Sequence, residues 1–238
     1  RFAYVANGLS NDVTTFAIAP GTGSLTEVGA EAGAGDAPKS VTVDPSGRFA
    51  YVANGISDDV TAFAIDPDTG ALIEVGVEVA AGDGPQSVTV DPSGRFAYVA
   101  NVASNDVTTF AIDQGTGALM AVGVMRARSL PQGLAMTPAA AAPVRSVPRV
   151  AYVANSLSDN VTTFAIDANT GALTEVGTGV AAGDGPSSVT VTPSGRFAYV
   201  ANSLSGNVTT FAIDASTGAL TQVGTEVAAD GGPLSLKV

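Results

Sequence analysis

The chain has 238 residues, 45% of them apolar and only 13% charged, with a formal net charge of −12. That length can bury a real core in one large domain, and the acidity excludes nucleic-acid backbones and anionic membranes as partners. There is no Cys, His or Trp, which removes disulfides, thiolate chemistry, the usual general base and the commonest transition-metal ligand.

RFAYVAN at 1–7 opens the chain and returns, nearly unchanged, at 48–54, 95–101, 149–155 and 196–202. The tyrosines at its centre, Tyr4, Tyr51, Tyr98, Tyr152 and Tyr199, are spaced by 47, 47, 54 and 47 residues. A period in this range marks a repeat architecture. Each RFAYVAN is followed by a stretch such as VTTFAID, then by ALTEVG, then by a crossover such as VAAGDGP that leads into SVTV. These four segments are rich in Val, Thr, Phe, Tyr and Ile, as strands are.

The connections carry hairpin chemistry. DPSG at 44–47 and 91–94 has the Asp-Pro-x-Gly order of a type I turn, and DPDTG at 66–70 suits a longer hairpin ending on Gly. SND or SDN before VTT offers an Asn or Asp side chain to cap a turn. No segment sustains a helical period, so the fold is read as all-β. Within RFAYVAN, Phe2 and Tyr4 face one way while Ala3 and Val5 face the other. Large and small faces of neighbouring sheets can then interdigitate, and the aromatic residues are expected to be core between sheets and not ligand platforms.

Four antiparallel strands per unit, repeated five times, predict a five-bladed β-propeller of four-stranded antiparallel blades, a single domain over 1–238. The chain ends on DGGPLSLKV, the beginning of another unit. Residues 233–238 are therefore expected to pair with 1–7, sharing the first blade between 1–31 and 233–238 and closing the ring at its edges. A fragment of a longer propeller, or insertion into a larger chain or assembly, is the competing expectation.

The stretch GPSSVTVTPSGRFAYVANSLSGNVTTFAIDASTGALTQVG at 185–224 resembles the lactonase-like, YVTN-type propeller repeats of bacteria, and the resemblance covers essentially the whole chain. It implies the propeller fold, although such proteins usually have seven blades. It implies either a 6-phosphogluconolactonase or carboxymuconate-cyclising enzyme, or a surface or secreted protein. It also implies a secreted, periplasmic or cell-surface location. The enzymes are expected to use His, Arg and Glu at the channel mouth, and a chain without His cannot carry that set.

Four acids, Asp36, Asp83, Asp184 and Asp230, stand at one position of the crossover before each inner strand. Gathered at a channel mouth, they can hold Ca²⁺, which takes six to eight oxygen ligands, or they serve only turn conformation. The DPDTG hairpins lack the distal Glu of a calcium loop, and GAGDAP at 33–38 has Pro38 where a dinucleotide fingerprint needs its third Gly. NVT at 160–162 and 207–209 fits a glycosylation acceptor in a chain whose repeats look bacterial.

The third-to-fourth junction is irregular. Gln114 to Ser158 holds no acid but does hold Arg126, Arg128, Arg145 and Arg149 and all three Met. Arg126 and Arg128 replace small crossover residues, and Ser129 takes the Asp position. The turn at 138–148 is longer than its sisters by eight residues. Arg126 and Arg128 are candidates to bind a carboxylate or phosphate, and the inserted turn is a candidate protein contact.

With no catalytic constellation in view, the expectation is a non-enzymatic extracellular or cell-surface module that binds a protein, glycan or ion. The alternative is a lactone hydrolase or related isomerase. There Asp83 or Asp184 would act as general base, and Arg126 or Arg128 would steady the oxyanion.

Overall fold

A computed structural model describes residues 1–138, 149–229 and 231–237. Among them are 23 strands and no helix, and therefore no helix long and apolar enough to cross a membrane. The strands form five antiparallel sheets. The first contains β1 (Phe2–Asn7), β2 (Asp12–Ile18) and β3 (Leu25–Glu27), with the short β4 (Ala32–Gly33) also on β2. The second runs β5 (Pro38–Val43), β6 (Phe49–Asn54), β7 (Asp59–Ile65) and β8 (Leu72–Glu74), with β9 (Val79–Ala80) on β7. The third runs β10 (Pro85–Val90), β11 (Phe96–Asn101), β12 (Asp106–Ile112) and β13 (Leu119–Arg126). The fourth runs β14 (Pro131–Met136), β15 (Val150–Asn155), β16 (Asn160–Ile166) and β17 (Leu173–Glu175), with β18 (Val180–Ala181) on β16. The fifth runs β19 (Pro186–Val191), β20 (Phe197–Asn202), β21 (Asn207–Ile213) and β22 (Leu220–Gln222), with β23 (Val227–Ala228) on β21.

The expected all-β, four-strand repeat is thus present. So is its turn chemistry. In the DPSG turn the Asp44 carboxylate accepts the N–H groups of Arg48 and Phe49 at 2.8 Å, and Gly47 closes the turn at φ +73°. In the DPDTG hairpin Asp66 accepts from the backbone of Asp68 and Thr69 and from the Thr69 hydroxyl. All three bonds fall on Oδ1.

The chain divides into two compact units, 1–99 with 110–121, and 100–109 with 122–238. In the first, Ala50 and Val52 of β6 pack towards Val13 and Tyr4 of the first sheet, while Phe49, Tyr51 and Ala53 pack towards Ala97, Val99 and Phe110 of the third. The predicted small and large faces therefore meet. In the second unit Tyr152 and Phe211 lie in the equivalent cluster with Val161 and Val200. Burying each such ring contributes roughly 1.5–3 kcal/mol. Tyr hydroxyls tie sheet to sheet: Tyr4 to the carbonyl of Gly70, Tyr51 to Gly117 and Tyr152 to Gly218.

The C-terminal segment departs from expectation: residues 231–237 carry no strand, and the first sheet begins at β1. It still holds a sister's lateral position. Leu236 N–H donates to Ser188 Oγ at 3.4 Å, as Val88 N–H donates to Ser40 Oγ at 3.3 Å. Residues 139–148 of the long turn, with Asp230, lie outside the described residues.

Candidate functional site

The crossovers are built around a capped turn. Asn11, Asp58, Asn105 and Asp159 adopt φ between +50° and +61°, a conformation that Asn and Asp tolerate better than most residues. Their side chains accept the N–H groups of Ala37, Gly84, Leu130 and Gly185 at 2.7–2.9 Å. The backbone carbonyl of Asp36 takes the N–H of Ile56, and that of Asp184 takes Leu204 and Ser205. Asp36 and Asp184 are thus part of turn construction through their main chains.

Their side chains face solvent: Asp36, Asp83 and Asp184 are all exposed, and Asp36 Oδ1 accepts from Asn11 Nδ2 at 2.9 Å. Asp36 and Asp83 belong to the first unit, Asp184 to the second. Among the described residues no three His, Cys, Asp or Glu side chains converge to hold a metal ion.

Arg128 takes the place of a crossover glycine. At Gly35 an added Cβ would lie 2.5 Å from Ser57 Oγ and 2.7 Å from Asn54 Nδ2, and Gly183 is equally crowded. Ala127 N–H donates to the Asn105 carbonyl just as Ala34 does to Asn11, so Arg128 is in register with Gly35. Its guanidinium is paired with Glu175 at 3.0 Å, with the two side chains 40% and 39% exposed. Its Nε is buried beside Gly179, where the second repeat has Glu78. Room for the arginine comes from losing that side chain. Arg126 is exposed.

Sequence reasoning missed Glu78. Its carboxyl is held above the ordinary glutamate range, first by desolvation and then by the charges of Asp59, Glu74 and Asp36. Among the described carboxyls with a resolved shift it is the one raised; Asp66, Asp113, Asp167 and Asp214 are lowered. The signal is the concentration of acids at 58, 59, 74 and 78 in the second repeat, but their approach to Asp36 crosses from one repeat to the next. A cleft in the second unit, lined by Thr109, Val122–Met125, Ala172 and Leu173, holds about 100 Å³. That is below the ~300–1,000 Å³ of typical ligand sites.

The chain matches the family described as lactonase, 7-bladed β-propeller, over residues 1–80 and 74–236. No curated protein matches it. Among solved structures it is similar to a protein described as a 6-phosphogluconolactonase from Bacteroides fragilis, with TM-score 0.83 and 23% identity over 98% of this chain and 69% of that one. A Bacteroides uniformis protein of the same description gives TM-score 0.74 and 18% identity over 98% and 83%. The periplasmic gluconolactonase of Pseudomonas aeruginosa gives TM-score 0.57 and 21% identity over 98% and 83%. Likeness at these identities shows the propeller fold. The family match, with neighbours so described, overturns the expectation of a non-enzymatic binding module and favours the alternative, lactone hydrolysis.

Proposed function

Because the chain belongs to the seven-bladed lactonase β-propeller family, we propose that it hydrolyses a sugar lactone to the open hydroxy acid. The family match is the observation that carries this reading. In the reaction a water oxygen bonds to the acyl carbon, the ring acyl–oxygen bond breaks, and the water's proton passes through a base to the departing ring oxygen. No histidine is present to do this, so the base is a carboxylate. A useful base titrates near the working pH, and Glu78, exposed but held above the ordinary glutamate range by desolvation and by Asp59, Glu74 and Asp36, is the carboxylate shifted towards it. A periplasmic or surface location belongs to the same reading, supported by the name of the Pseudomonas enzyme.

Proton release from glucono-δ-lactone and its 6-phosphate, followed at constant pH, tests the proposal. Turnover above the spontaneous rate is expected, with Glu78→Gln lowering kcat/KM about 10²-fold. Failure on every sugar lactone would sink the lactonase reading. Turnover that survives Glu78→Gln would move the base to Asp184, exposed in the same unit as Arg126, with Asp184→Asn as the next variant.

A further inference from the structure

The outer edges of the five sheets are not alike. β3, β8, β17 and β22 have three residues each, and the first three end on Glu27, Glu74 and Glu175. After each of the four the chain turns away at a glycine, Gly29, Gly76, Gly177 or Gly224, with φ between +67° and +73°. Short, charged, bulged edges are how sheets avoid pairing with other chains.

β13 is neither short nor bulged, and its one charge, Arg126, stands at its end. It runs unbroken for eight residues, LMAVGVMR. Its Gly123, in register with Gly76, is not in the left-handed conformation. The cause is a deletion: from the valine before that glycine to the crossover proline is ten positions at Val75–Pro85 but nine at Val122–Pro131. With one residue fewer, the chain has no slack for the bulge and stays extended. On one face stand Met120, Val122 and Val124, exposed by 64%, 43% and 65%. β13 is the terminal strand of its sheet among the described residues, so its outer row of backbone groups is a template for another strand.

We propose that β13 is a self-association edge, on which a second copy of this chain adds its own β13 antiparallel about a two-fold axis. Charge decides the occupant. A chain of net charge −12 repels another copy over most of its surface, and self-pairing of β3, β8 or β17 brings glutamates of the two copies together, which is unfavourable across strands. No acid lies between Gln114 and Ser158, so β13 is an edge where two copies meet without opposed carboxylates. The apolar row is also self-complementary. With Val122 on the axis, Met120 of one copy faces Val124 of the other, and a two-fold interface requires that reciprocity.

Sedimentation velocity of the full chain at micromolar concentration tests this. A dimer is expected, and Val122→Glu, which sets two carboxylates on the axis, should raise its dissociation constant at least about tenfold. Ile73→Glu, at an exposed position of β8 in register with Met120, should leave the dimer unchanged. Val124→Lys carries the test if Val122→Glu alters the melting curve. A wild-type monomer, or a dimer indifferent to both β13 variants, would overturn the proposal. So would a dimer broken equally by Ile73→Glu.

Discussion

The Tyr51 hydroxyl, fully buried, donates to the carbonyl of Gly117 on the next sheet, and burial pushes its ionisation far above the ordinary tyrosine range. Tyr51→Phe keeps the ring but leaves that carbonyl unpaired, and should cost about 0.5–1.5 kcal/mol, read from the urea midpoint. Gly117 is the harsher site. It sits at φ +80°, and an added Cβ would run into the Phe49 ring, so Gly117→Ala should cost more than the tyrosine change, on the order of 1–3 kcal/mol. A smaller loss at Gly117 than at Tyr51 would mean the sheets are held by something other than this contact. Glu78 makes a residue-scale prediction of opposite sign. Its raised folded pKa means the protonated form is favoured in the fold. The stability it contributes is present below the ordinary glutamate range and lost as pH rises through the folded value. Glu78→Gln should therefore raise the melting temperature at pH 7 and change it little near pH 3. If Glu78 is also the base, the same variant becomes more stable and less active.

At the scale of the element, the hairpins DPDTG, DQGTG, DANTG and DASTG, which join β7 to β8, β12 to β13, β16 to β17 and β21 to β22, share one device: an aspartate that accepts from the turn's own backbone and Thr hydroxyl. Asp214 has the most partners and is held at about 2, first by the Ser216 hydroxyl and then by Thr217. A depressed folded pKa gives stability that is present above the unfolded value of about 3.9 and lost as pH falls through the folded one. The melting temperature should thus drop between about pH 4 and pH 2, and Asp214→Asn should flatten part of that drop. These hairpins, and the RFAYVAN and VTTFAI strands they follow, are legible because their signals are local. Turn residues sit at fixed offsets, and Val, Thr and aromatic residues alternate with period two. The edges are not. The length of β13 depends on one missing residue whose effect is lost left-handed geometry at Gly123, whereas the residue types there show only Arg126 and Arg128 in place of small residues and Ser129 in place of aspartate.

At the scale of the whole molecule, repetition made the architecture legible and the function obscure. The repeat-wide caps Asn11, Asp58, Asn105 and Asp159 serve the crossover turns. A functional residue is then sought where copies differ, as at Arg128, or where neighbouring repeats bring acids together, as around Glu78. The absence of His argued against an enzyme, but carboxylates remain available to a hydrolase, and the family match outweighs the missing residue type. Net charge belongs to this scale too. With 22 acidic against 10 basic residues, self-repulsion opposes the compact state. Moving from about 0.01 M to 0.15 M NaCl shortens the screening length from about 30 Å to about 8 Å. The melting temperature should therefore rise, by about 2–4 °C for each kcal/mol of repulsion removed. CaCl₂ at matched ionic strength should give the same rise, since no three ligating side chains converge among the described residues. A larger rise with calcium would reveal a bound ion, and Asp36→Asn, Asp83→Asn, Asp184→Asn and Asp230→Asn, made singly, would locate it by which of them removes the excess.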